Sequence, residues 1–343
     1  MIQQEGSLKQ AAMLYGLRVK FTERYGKVYR ISTDKGDYAL KRTDVRKGVD
    51  FLYYMQTLFQ QGYNRIVPVY PSLDGKYAVL LHNSLYYLMP WLHNRETEDR
   101  TGKHSELFRE LARLHTLSSR EVPVSGEVRR EHYETTLAQW EKEQETLDDF
   151  LERSEGSVYM SPFQLLFCTF YHEIALAQKY AIRKLKEWHE TTAEEQKARS
   201  VIIHGNISTE HFLYNDTGHG YFINFEESGT ASPFHDLLPF LFRTMRTYPK
   251  PFDETLAWLD IYFRHFPFKK DEMLLFLGYL AHPGHLFRLL EQYLSAGAEK
   301  NEAVFVRRLQ KNYWHMKNTE YVVSKLEEKE RLKKEASQQS PSG

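Results

Sequence analysis

Between residues 204 and 227 the chain sets polar side chains at close spacing. His204-Gly205-Asn206 is followed by His211 and then by Ile223-Asn224-Phe225-Glu226-Glu227. Far upstream, Ala39 and Lys41 stand two residues apart. A lysine, a polar loop and a pair of acids are the parts used in phosphoryl transfer. There a carboxylate takes the hydroxyl proton and oxygen ligands hold magnesium against the phosphates. The residue types suit that chemistry badly. Asn206 carries no negative charge and is a poor proton acceptor. Asn224 offers one neutral oxygen where magnesium prefers a carboxylate. The imidazole of His211 suits zinc or copper better than a hard cation. Glu226 and Glu227 remain as weak candidates for metal ligation, and two acids are few for a two-metal centre.

The elements around these residues read clearly. Leu213 and Ile223 flank a turn, Asn215 to Gly220, as the strands of a hairpin do. Asp236, in His235-Asp236-Leu237-Leu238, is placed to anchor the 204–206 loop by accepting backbone N–H bonds. Residues 7–15 read as a short helix. Leu17 to Phe21, Val28 to Ile31 and Tyr38 to Lys41 form a three-stranded meander with turns at Gly26 and Asp34–Asp37. Ala39 and Lys41 then face the same side of the third strand. Residues 48–61 form a helix with Phe51, Leu52, Met55, Leu58 and Phe59 on one stripe. Val67 to Tyr70, Ala78 to Leu81 and Leu85 to Trp91 read as strands, the last running into a hinge at Pro90.

Beyond residue 92 helical periodicity dominates, over 106–117, 131–152, 163–189, 253–265, 271–280, 283–296 and 301–333. His282-Pro283-Gly284-His285 marks a helix boundary rather than a metal site. Glu327–Arg331 and Glu330–Lys334 stand at i,i+4 spacing on the last helix. The implied organisation is an N-terminal lobe over 1–92, a helical lobe over 93–335 and a disordered polar tail over 336–343.

Composition narrows the partners. Acidic and basic residues balance at 46 each, so bulk charge points to neither nucleic acid nor an anionic membrane. No apolar run approaches the ~20 residues of a membrane span. Glu5 and Lys9 interrupt the N-terminal pattern of a signal peptide, which implies cytoplasmic synthesis. The single cysteine, Cys168, reads as a small buried hydrophobe in a reducing compartment.

The order Ala39-x-Lys41, hinge at Tyr87 to Trp91, Leu111-Ala112-Arg113-Leu114-His115, His204-Gly205-Asn206 and Ile223-Asn224-Phe225-Glu226 resembles the aminoglycoside phosphotransferase and choline kinase superfamily. The resemblance covers residues 10–320. It implies an α+β, bilobal protein-kinase-like fold with a small antiparallel β N-lobe and a larger helical C-lobe. It also implies Asp at 206, Asn at 211 and Asp at 224, so base and metal ligands are degenerate here. Lys41, Ala39 and Met89 are left as a residual nucleotide pocket, and His204 and Asp236 as structural residues. An active member offers a Glu to the strand lysine from the helix after residue 48. The inward candidates in this chain are Asp50, Gln56 or neither.

Within the superfamily the chain looks most like spore coat proteins of endospore-forming Bacillus relatives, of the CotS and YsxE type. That implies a catalytically inactive, assembly-type protein made in the mother cell, without cofactor, with other coat proteins as partners. The alternative is a small-molecule phosphotransferase or nucleotide-binding protein using ATP and magnesium, with metal ligands displaced to Glu226 and Glu227. Substrate and oligomeric state are not readable from the sequence.

Overall fold

The computed structural model describes residues 2–94, 100–245, 247–297 and 300–339. In chain order the first elements are α1 (Ile2–Leu14), β1 (Val19–Tyr25), β2 (Val28–Thr33), β3 (Gly36–Asp44), α2 (Asp50–Gln60), β4 (Val79–Leu81), β5 (Ser84–Pro90) and α3 (Arg100–Ser118). Next come β6 (Arg120–Pro123), α4 (Gly126–Glu155), α5 (Pro162–Thr191), β7 (Lys197–Ile203), β8 (Phe212–Tyr214), β9 (Gly220–Phe222) and β10 (Gly229–Ala231). The chain closes with α6 (Phe234–Thr244), α7 (Asp253–His265), α8 (Lys270–Ala281), α9 (Gly284–Ser295) and α10 (Glu302–Gln339). This is a mixed α+β fold with an antiparallel sheet toward the N-terminus and helices toward the C-terminus.

The chain divides into two compact units, Met1–Ser119 with Val201–Asp236, and Arg120–Ser200 with Leu237–Gly343. The division does not follow the expected boundary near residue 92, because α3 and the 201–236 segment cluster with the sheet. Hydrogen bonds explain this grouping. Tyr63 Oη donates to the carbonyl of Glu110 on α3. The backbones of Arg65 and Val67 bond to Phe222.

In the first unit five strands pair in the order β1-β2-β3-β5-β4, every neighbour antiparallel. Gly26, at φ +64°, makes the tight β1–β2 turn that most side chains resist. Leu8, Ala11 and Ala12 of α1, with Tyr15 just after it, cover one face of the sheet, packing with Ile31, Leu40, Tyr86 and Leu88. Each such large apolar side chain gains about 1.5–3 kcal/mol on burial. The expected strand Val67–Tyr70 is not formed. The segment makes only the isolated bridges Ile66–Phe222 and Tyr70–Leu88, one at each end, and no continuous ladder. Residues 201–203 of β7 pair with β10, a contact the sequence did not suggest.

The second unit is helical apart from β6, which pairs with residues 197–200 of β7. Ser161-Pro162-x-Gln164 starts α5 with a reciprocal capping box and proline in the first turn. Leu147, Phe150, Phe163, Phe167 and Tyr293 build one core, with Phe163 stacked on Tyr293 at 3.9 Å. Cys168 is half-buried rather than enclosed, because its side of α5 is only partly covered. On α10 the expected Glu327–Arg331 pair is not formed, and the Lys334 side chain of the expected Glu330–Lys334 pair lies outside the described residues. Glu327 pairs with Lys184 of α5 (2.8 Å), Glu330 with Lys333 (2.7 Å) and Arg331 with Glu335 (3.7 Å). The helix extends through Gln339 into the stretch expected to be disordered, and residues 340–343 lie outside the described residues.

His282 to His285 does form the α8–α9 boundary. There His285 Nε2 lies 2.9 Å from His315 Nδ1, and His315 Nε2 donates to the carbonyl of Phe242 at 3.0 Å. Burial, then the neighbouring His315, pushes the His285 pKa down to about 4. The unfolded chain therefore takes up a proton below about pH 6.5 that the folded chain refuses until about 4. Stability should fall across that window by on the order of 2–3 kcal/mol. His285→Gln should flatten the melting temperature against pH between about 6.5 and 4.5. Identical pH profiles for the two proteins would refute this account.

Candidate functional site

Lys41 lies on β3 directly opposite Tyr87 of β5, and Ala39 lies opposite Met89. The four side chains share the sheet face that α1 does not cover, and all are buried. Lys41 is only 7% exposed, so its charge requires a partner. Its ammonium donates to Asn224 Oδ1 at 2.6 Å and forms an ion pair with Glu226 Oε1. Tyr87 Oη donates to the same Glu226 oxygen at 2.6 Å, and the Tyr87 ring lies 5.8 Å from the ammonium. Burial pushes the Glu226 carboxyl up. The Lys41 charge and the bonds from Lys41 and Tyr87 more than offset this and hold it below the usual glutamate range. Burial, reinforced by the Glu226 charge, raises the Tyr87 phenol far above its usual value. The site is thus ammonium, carboxylate and neutral phenol together.

Helix α2 does not supply the lysine's carboxylate. Asp50 and Gln56 are both exposed, and its buried positions are Phe51, Met55 and Leu58. Phe51 packs on Tyr87 with ring centres 5.3 Å apart. Glu226 takes the place that an acid on this helix would fill.

Behind the site, the 204–206 loop is tied to a buried carboxylate. Asp236, 2% exposed, accepts the backbone N–H of His204 on Oδ2 and of Gly205 on Oδ1, both at 2.8 Å. His115 Nε2, at the end of Leu111-Ala112-Arg113-Leu114-His115, lies 3.1 Å from Oδ2. Burial raises the Asp236 pKa, but the His115 bond and charge and the His204 contacts more than offset it. His204 is fully buried. Its Nε2–H donates to the carbonyl of Ile223 at 2.7 Å and its Nδ1 accepts from Asn206 N at 3.2 Å. Both nitrogens are used by a neutral ring, in accord with a pKa lowered chiefly by burial. Gly205 has φ +79°, and a Cβ there would sit 2.0 Å from the carbonyl oxygen of Glu227. Only glycine lets the Glu226–Glu227 turn close on the loop.

Asn206 and His211 are bonded to each other, and Asn224 is bonded to Lys41. His211 Nδ1–H donates to the carbonyl of Asn206 at 2.7 Å. Asn224 has φ +67°, a left-handed conformation that Asn adopts more readily than most residues. Glu227 is exposed. Magnesium does not fit this donor set. The oxygens of Asn224 and Glu226 both accept from the Lys41 ammonium, and a second cation between them would meet a fixed positive charge. No group of three or more His, Cys, Asp or Glu suited to a metal occurs among the described residues. His211→Ala should cost about 1–2 kcal/mol, because the Asn206 carbonyl loses its donor. Urea denaturation measures this, and an unchanged midpoint would contradict the assigned role.

The structure therefore gathers Lys41, Asn224 and Glu226 into one buried cluster, with His204, Asn206, His211 and Asp236 in the adjoining loop network. Ala39 and Met89 line the same sheet face, and Glu227 is exposed. Tyr87 and His115 are site residues that motif reading quoted without a role. The signal for Tyr87 was its register opposite Lys41, which needs the β3–β5 pairing first.

This sheet, hairpin and loop arrangement defines a kinase-like phosphotransferase fold. Residues 22–266 match the phosphotransferase enzyme family, and the chain belongs to that family. Among solved structures, an aminoglycoside phosphotransferase from Alicyclobacillus acidocaldarius superposes with a TM-score of 0.67 at 13% identity. The match covers 93% of this chain and 95% of that one. Spectinomycin phosphotransferase, solved with ADP and spectinomycin, superposes with a TM-score of 0.52 at 14% identity, covering 94% of this chain and 97% of that one. At such identities the likeness is one of fold. No curated protein sequence matches the chain significantly.

Proposed function

We propose that this chain is an inactive member of the phosphotransferase family that serves as an assembly component, by sequence resemblance a component of the spore coat. The observation that supports inactivity is the Lys41 ammonium seated between Asn224 and Glu226. The lysine that would meet phosphates is neutralised internally, and the position of the proton acceptor is an amide at Asn206. The rival reading, a small-molecule phosphotransferase with metal on Glu226 and Glu227, requires Glu226 to release both Lys41 and Tyr87. It draws on the fold shared with enzymes acting on aminoglycosides and spectinomycin.

Thermal shift with ATP, with and without magnesium or manganese, separates the two. The expected outcome is no metal-dependent rise in melting temperature. A rise that needs the metal and vanishes in Glu226→Ala supports the rival and removes this proposal. The coat role is tested by labelling purified spores of an endospore-forming host with antibody to the protein. Signal on the coat is expected, and its absence from coat extracts refutes that part.

A further inference from the structure

A second polar site lies on the opposite face of the sheet from Lys41. Along β3 successive side chains alternate, so Leu40 and Arg42 share the face that α1 covers in part. Beyond the reach of α1, three connections converge there: the β1–β2 turn at Gly26-Lys27, the turn after β3 at Asp44 to Arg46, and the β4–β5 turn at His82-Asn83. They enclose a cavity of ≈ 610 Å³. Its charged and polar lining includes Arg24, Lys27, Arg42, Arg46, Asp44 and Ser84. We propose that this cavity binds a multiply charged phosphate anion, of the size of pyrophosphate or tripolyphosphate, through Arg24, Lys27 and Arg42.

The charge distribution carries the inference. Four basic side chains face one carboxylate in a chain whose charges otherwise balance. That carboxylate is already committed. Asp44 Oδ1 accepts Arg46 N at 2.9 Å, and Arg46 Nη2 and Nε close on the same carboxylate at 2.7 and 3.2 Å. Arg42 is held by a neutral hydroxyl instead of an acid, its Nε donating to Ser84 Oγ at 3.0 Å. Arg24 is likewise steadied through Nε on the carbonyl of Gly26 at 3.1 Å. The Arg42 backbone N–H bonds to the carbonyl of Lys27 at 2.9 Å, which fixes the turn lysine beside it. Two guanidinium groups oriented by their Nε atoms and an ammonium, with no acid left to neutralise them, suit phosphate oxygens. The volume falls within the range of small-molecule sites.

The test is calorimetric titration of the full chain with sodium tripolyphosphate at constant ionic strength. Saturable binding is expected. It should weaken about tenfold or more in Arg24→Gln/Arg42→Gln, the loss of about one charge-assisted contact per arginine. Lys27→Glu, at an exposed turn that does not contribute to the core, should weaken it by a similar factor. Lys142→Gln, at an exposed position of α4 outside the lining of the cavity, should leave it unchanged. Heats no larger than those of matched sodium chloride overturn the proposal. So does wild-type affinity in both the double variant and Lys27→Glu, or binding of an Asp/Glu-rich peptide in place of tripolyphosphate.

Discussion

Asp236→Ala is expected to destabilise the protein by about 3–5 kcal/mol, the range for breaking a buried charged network. The carboxylate accepts two backbone N–H groups of the 204–205 turn and lies against His115. Removing it leaves two buried N–H donors unpaired, each costing about 1–3 kcal/mol. It also removes the contact between Asp236 and His115. Asp236→Asn keeps the shape but can accept on only one side, so it should recover part of the loss. Urea unfolding of the three proteins tests this. A loss below about 1 kcal/mol for Asp236→Ala would mean that the loop is held by other contacts. The pH dependence has a definite sign. The Asp236 and Glu226 carboxyls are held below their usual values, so their contribution is present above about pH 4.5 and disappears as pH falls through the lower folded values.

Lys41→Met is expected to cost about 3–5 kcal/mol, because Glu226 is left as a buried carboxylate without its cation. The loss should exceed that of the double variant Lys41→Met/Glu226→Gln, in which the charge is removed along with its partner. The coupling energy from the four-protein cycle should be at least about 1.5 kcal/mol. Strict additivity of the two single losses would show that the pair is incidental. In Lys41→Met the remaining Glu226 should also titrate above its wild-type range, since burial, which pushes it up, is then opposed only by the bonds from Tyr87 and the backbone. Unfolding would then become less sensitive to acid, not more.

Much of this site was legible in the chain. The alternation that put Ala39 and Lys41 on one side of a strand is a property of β3 alone, and it holds in the sheet. The 212–222 hairpin followed from its Gly-containing turn. What local pattern could not supply was the partner of Lys41. Periodicity marks α2 as the neighbouring helix but does not say that Phe51, Met55 and Leu58 fill its inner face and leave no place for an acid. Glu226 entered only as a metal ligand of the alternative reading, because sequence spacing shows a carboxylate without showing which cation meets it. Val67 and Val69 alternate as a strand should, yet the segment meets β9 and β5 only at single bridges, at Ile66 and Tyr70, and local alternation does not show that. Helix α6 escaped notice because Pro239 sits inside it, where its missing N–H argues against helix.

The central claim is that Lys41 is committed to Glu226 and Asn224 and that the site does not transfer phosphate. The most direct measurement follows the labelled γ-phosphate of ATP, with magnesium present, in the presence of an aminoglycoside, spectinomycin, choline and the protein itself. The account predicts transfer indistinguishable from that of Lys41→Met with every acceptor. Transfer by the wild-type chain on the order of 1 s⁻¹, the range of working kinases, and its loss in Lys41→Met, would contradict it.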